Sequence, residues 1–97
     1  MIIGVLHLEF RLHGNRSLKD KRKVAQSLKQ KIRNKFNVSV AETEAMDVHD
    51  TLVLGIVTTA NETTRVESRL AKTLAMVEAI SPAELTKCST EIFSDTD

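Results

Sequence analysis

From Ile2 to His13 apolar and polar side chains alternate, with Leu6, Leu8, Phe10 and Leu12 on one side and His7, Glu9, Arg11 and His13 on the other. A period of two is that of a strand with one face buried and the other in water. Gly14-Asn15 breaks the alternation, and Ser17 with Asp20 three residues on is a weaker relative of the Ser-x-x-Glu capping box, so a helix starts there. Leu18, Ala25, Leu28, Ile32 and Phe36 recur at helical spacing and form one inward stripe on a helix over Leu18 to Phe36. Lys19, Lys23, Gln26, Gln30 and Arg33 point away from that stripe. Lys21 and Lys29 border it, where a lysine stem lies on apolar surface and its ammonium reaches water.

Asn37 to Ala45 reads as a second strand, with Val38 and Val40 on one face before Glu42 and Glu44 continue it toward an exposed edge. The polar segment Met46 to Asp50 suits a hairpin connection into the β-rich run Thr51 to Ala60, which holds Leu52, Val53, Leu54, Ile56 and Val57 and reads as a central strand. Asn61 is a good cap for a second helix over Glu62 to Ile80, whose Val66, Leu70, Leu74, Val77 and Ile80 fall on one face until Ser81-Pro82 stops it. Glu84 to Phe93 alternates again as a weaker fourth strand. Two β-α-β halves in the order β-α-β-β-α-β predict an α+β ferredoxin-like two-layer sandwich, an antiparallel sheet with both helices on one face. Residues 1–93 form that single domain, and 94–97 are a polar tail expected to fray. The other sheet face, with Val5, His7, Glu9 and Arg11, is left for water or a partner. His7, Glu9 and Arg11 are the residues through which a homodimer or protein adaptor would form there.

Ninety-seven residues suit one core, and 41% hydrophobic content is an ordinary globular share. A chain of this length buries only about 60 to 70% of its unfolded surface, so self-association would add useful stability. Its apolar runs fall far short of the roughly 20 residues that cross a bilayer, and one cysteine, Cys88, offers neither an internal disulfide nor a thiolate metal site. A reducing cytoplasm is the expected setting. The net charge of +1 conceals an asymmetry: Arg16 to Lys35 carries nine bases and one acid, +8, so the rest of the chain carries −7.

Cations crowded on one helix repel one another, and an anionic partner relieves that repulsion. Arg16, Lys19, Lys21, Arg22, Lys23, Lys29 and Arg33 are therefore the candidate RNA-phosphate contacts, several of them around a helix N-terminus that itself favours an anion. The bland alternative is a solvated helix that keeps a small protein in solution. There are three Phe and no Tyr or Trp; Phe10 and Phe36 lie on core faces, which speaks against bases stacked on an aromatic sheet. Binding would go through phosphates, with steep salt dependence, little sequence preference and no DNA sequence specificity. His7, Glu9 and His13 lie on one strand face, but His13 is about 20 Å from His7 at strand spacing, so no metal site is assigned. Cys88 reads as a half-buried filler. No phosphate-binding glycine loop or nucleophile elbow is present, so neither catalytic residues nor cofactors are assigned.

The pattern Ile3-Gly4-Val5-Leu6, the basic turn Arg16-Ser17-Leu18-Lys19-Asp20-Lys21-Arg22, the run Arg33 to Glu42 and Leu54-Gly55 together resemble the YlxP-like family of small bacterial proteins, over Met1 to about Phe93. Asp20, where a Glu is more usual, and the polar His49-Asp50 turn are the departures. The resemblance implies a ferredoxin-like fold, supplies no catalytic residues, and through the family's gene neighbourhood implies a ribosomal subunit or RNA as partner. A non-enzymatic binding module for RNA or the ribosome is the resulting expectation, with a homo-oligomeric structural or adaptor domain as the alternative.

Overall fold

The computed structural model describes residues 1–95. The elements follow the expected order: β1 (Ile2–Arg11), α1 (Leu18–Lys35), β2 (Ser39–Glu44), β3 (Thr51–Ala60), α2 (Thr63–Ile80) and β4 (Glu84–Ser94). All strand pairings are antiparallel, in the sheet order β2-β3-β1-β4. β3 is therefore central and β2 an edge, as the apolar and charged runs predicted. Both helices lie on one sheet face, where Leu6, Leu8 and Phe10 of β1 and Leu52, Leu54 and Ile56 of β3 meet Leu28 and Ile32 of α1 and Val66, Leu70 and Val77 of α2. Burying these side chains is the main drive to the fold, at roughly 25 cal/mol per Å² of apolar surface removed from water.

Local chemistry sets the ends of the elements. Ser17 has extended backbone and its Oγ accepts from the Asp20 amide at 3.1 Å, the expected cap of α1. Phe36 is the C-cap of that helix rather than its last turn, and it lies outside the contiguous core. α2 starts one residue later than expected. The Glu62 carbonyl takes its first helical bond, from the Val66 amide, so Glu62 and not Asn61 stands at the cap, without a side-chain bond. Ser94 lies within β4, and the Asp95 carboxylate is 3.2 Å from the Met1 ammonium, so the tail is tied down that far. Thr96 and Asp97 lie outside the described residues.

β2 carries a bulge between Glu42 and Glu44. The extra residue, Thr43, lies over Gly55 so closely that a Cβ there would be 2.8 Å from the Thr43 methyl group. Val40 and Glu42 pair with the inward residues Ile56 and Leu54, which turns the Glu42 carboxylate toward α1.

Candidate functional site

α1 carries its charge on three sides of its core stripe. Lys21, Ala25, Leu28 and Ile32 are the buried residues. At 3.6 residues per turn, Lys19 and Lys23 lie opposite them; Arg22, Lys29 and Arg33 form the flank toward the β2 edge, and Lys31 and Lys35 the flank toward α2. Arg33 confirms the β2 side, its Nη2 donating to the Val40 carbonyl at 2.7 Å. Arg16, Lys19, Arg22, Lys23, Lys31 and Lys35 are exposed and Lys29 half-buried. Among the described residues none of these seven makes a side-chain ion pair or hydrogen bond.

Lys21 is a correction. It was expected at the border of the stripe with its ammonium in water, as one of the phosphate contacts, but its residue is only 2% exposed. Nζ donates to the carbonyls of Ala45 at 2.6 Å and Val48 at 2.8 Å, and lies 2.9 Å from Glu42 Oε2. That last contact is not aligned as a hydrogen bond and acts through charge. The reason lies in the register: position 21 is four residues before Ala25, squarely on the core stripe, whereas Leu18 sits at the rim and is 39% exposed. A buried ammonium needs both a counter-charge and hydrogen-bond acceptors, and the β2 bulge and the turn after it deliver them. Lys21 therefore fastens α1 to the β2–β3 connection and is unavailable to a ligand.

The fold also gathers cations that no sequence pattern connects. Only five bases lie outside Arg16–Lys35, and three of them, Arg65, Arg69 and Lys72, line a groove between α2 and the C-terminal end of α1 together with Lys35 and Phe36. Arg69 is held from below, its Nη1 donating to Thr58 Oγ1 at 2.6 Å and to the Thr59 carbonyl at 3.1 Å. Their spacing in α2 puts these bases on one side of that helix, a signal legible in the sequence, but the nearness of Lys35 is not. The basic surface thus continues from α1 onto α2.

On the uncovered sheet face His7 is exposed, Glu9 half-buried, and Arg11 directed 3.6 Å from Asp50. The three occupy the polar end of that face. Its apolar end lies farther along β1, where the register sets Ile3 beside Phe93 and Val5 beside Val57. Phe93 is 48% and Val57 44% exposed. His13 turns to Glu84, 2.7 Å away, and among the described residues no three His, Cys, Asp or Glu side chains gather to hold a metal. Cys88, expected to be half-buried, is exposed on the edge strand β4, whose inward contacts with the core are made instead by Leu85 and Ile92. No helix among the described residues is long and apolar enough to cross a membrane.

The layering and strand order define an α+β sandwich of the ferredoxin-like class, here with a basic helical layer. Two solved structures share that fold. SnoaB, a cofactor-independent oxygenase from Streptomyces nogalater, matches at a TM-score of 0.53 and 14% identity over 99% of this chain and 94% of its own. The protein YJCS matches at 0.51 and 12% identity over 92% and 96%. The chain belongs to the family described as "Protein of unknown function (DUF503)", whose model matches residues 3–90. It is 30% identical over 92 residues to the "Uncharacterized protein YlxP" of Bacillus subtilis (strain 168), which covers 95% of this chain and all of that one. The resemblance read from the Arg16–Arg22 and Arg33–Glu42 segments is thereby upheld.

Proposed function

We propose that the protein is a non-enzymatic module that docks on structured RNA, with a ribosomal subunit as the first target to test, through the solvent face of α1. One observation carries the reading: Arg16, Lys19, Arg22, Lys23, Lys29, Lys31 and Lys35 stand together without a counter-ion among the described residues. Mutual repulsion among them is relieved by a polyanion, and each phosphate contact releases condensed counterions. Arg33 joins them with the part of its guanidinium not used on Val40. The likeness to SnoaB is one of fold and brings no catalytic residue to this chain.

Binding to ribosomal subunits should weaken steeply with salt. Five phosphate contacts correspond to a loss of roughly 10²- to 10³-fold in affinity between about 50 and about 200 mM salt. The Lys19→Glu/Arg22→Glu/Lys23→Glu variant should lose binding and keep its thermal stability, since acids in the first turns of a helix suit its dipole. A flat salt response, or unchanged binding by the triple variant, would overturn the proposal.

A second reading rests on a different observation, the apolar end of the uncovered sheet face. Exposed Val57 and Phe93 beside Ile3 and Val5 form a patch that a second copy of the chain would cover, leaving α1 free on the opposite side.

A further inference from the structure

We infer that the groove between the end of α1 and the first turns of α2 holds one unpaired nucleotide of the RNA, its base on Phe36 and its phosphate among Lys35, Arg65 and Lys72. The inference rests on the RNA reading and adds a preference for single-stranded over paired RNA. Its starting point is Phe36, half-buried and outside the core, on the wall of a cavity of about 430 Å³. That volume is in the range of small-molecule sites, roughly 300 to 1,000 Å³. A phenyl ring left beside an open basic groove can take a base against its face, whatever the base, because every base has a π-surface.

The surrounding charge suits the phosphate. Lys35, Arg65 and Lys72 make no side-chain ion pair or hydrogen bond among the described residues, while Arg69 is oriented by Thr58 and Thr59 and serves as a fixed cation at the floor. Thr64 and Ser68 add hydroxyls to the wall. The first turn of α2 carries no acid, and neither Glu62 nor Glu67 lines the groove. An acidic protein segment would be served by the cations alone. The ring beside them favours a ligand that brings a flat apolar surface and a negative charge separated by a short linker, which describes a nucleotide, whose sugar holds base and phosphate apart. Lys31 and Lys35 on the α2-facing flank of α1 connect the groove to the rest of the basic surface, so a strand following α1 would deliver a nucleotide into it.

The test compares a short single-stranded RNA with a blunt duplex of the same length, at low salt, for the full chain. The native protein should prefer the single strand. Phe36→Leu should remove that preference by lowering single-strand affinity about 5- to 150-fold, the worth of one base–aromatic stack, and Phe36→Tyr should restore it; thermal melting verifies that both fold. Arg65→Glu/Lys72→Glu should weaken single-strand binding beyond its effect on the duplex. Should Phe36→Leu bind like the native chain while Lys19→Glu/Arg22→Glu/Lys23→Glu loses binding, the nucleotide site is refuted and the RNA reading stands. Unchanged binding by the α1 variant as well would remove both.

Discussion

Lys21 shows how far one residue's environment can depart from its residue type. Its stem occupies a core position of α1, and its ammonium meets two backbone carbonyls and the Glu42 carboxylate. Lys21→Ala would leave those carbonyls and a half-buried carboxylate without their cation. The expected cost is about 3 kcal/mol, the low end for a broken buried pair because Glu42 retains some contact with water. Lys21→Met/Glu42→Leu should cost clearly less than Lys21→Ala, since it removes both charges and fills the site with apolar volume. Urea unfolding of the single and double variants measures the difference. RNA affinity should fall little in the double variant, because this ammonium faces the protein interior. The carbonyl of Ala45, which Lys21 binds, belongs to a residue held at φ 56°, in the left-handed region, so the lysine also steadies a backbone conformation unfavourable to a residue with a Cβ.

At the scale of the element, the two ends of α1 stand differently to its dipole: Arg33 and Lys35 in the last turn suit it, while the first turns oppose it. Its N-terminal turns carry Lys19, Arg22 and Lys23 after Arg16, with only Asp20 opposing them. Cations there are disfavoured by the positive end of the helix, and the Ser17 cap satisfies the Asp20 amide without altering that balance. Lys19→Glu is therefore expected to raise stability by about 0.3 to 1 kcal/mol at low ionic strength, a gain that shrinks as salt screens the charges. Thermal melting at two salt concentrations reads this directly. The same substitution should weaken RNA binding, and that opposition separates a functional cation from a merely solubilising one. An unchanged melting temperature would mean that the helix end is already neutralised by solvent. α2 contributes differently: Thr73 is buried and its hydroxyl donates to the Arg69 carbonyl of the same helix at 2.7 Å, so this side of α2 packs on the core without an unpaired hydroxyl.

For the whole molecule, the two proposed surfaces lie on opposite layers. The helical layer presents the cations and the groove, while the sheet presents Val57 and Phe93. Sheet-face pairing of two copies would therefore display two basic surfaces facing outward, and bivalent contact would tighten binding without any new type of interaction. Light scattering over a range of concentrations should give a dimer mass that Val57→Lys/Phe93→Lys converts to a monomer. A monomer mass for the native chain at the highest concentration would discard the sheet-face reading and leave the RNA reading intact. The polar residues His7, Glu9 and Arg11 contribute at most the rim of such a contact, since Arg11 is turned to Asp50 and the apolar surface lies at the other end of β1.

Periodicity determined the element order and the inward faces of β1 and β3, because strands and helices repeat their burial at spacings that a sequence displays without any knowledge of its neighbours; a local motif determined the Ser17 cap, and a count of charges their concentration on α1. Tertiary structure decided what each polar side chain meets. An apolar template passes over a lysine at a core position, so Lys21 was legible as a border residue; the fold brings it Glu42 from the bulged β2 and two carbonyls from the turn that follows. Phe36, on the stripe by spacing, fell outside the core because α1 ends before it and the chain turns away. Arg65, Arg69 and Lys72 met Lys35 only because the two helices pack side by side on one sheet face. Contacts between residues far apart in the chain depend on that packing, and local spacing carries no record of it.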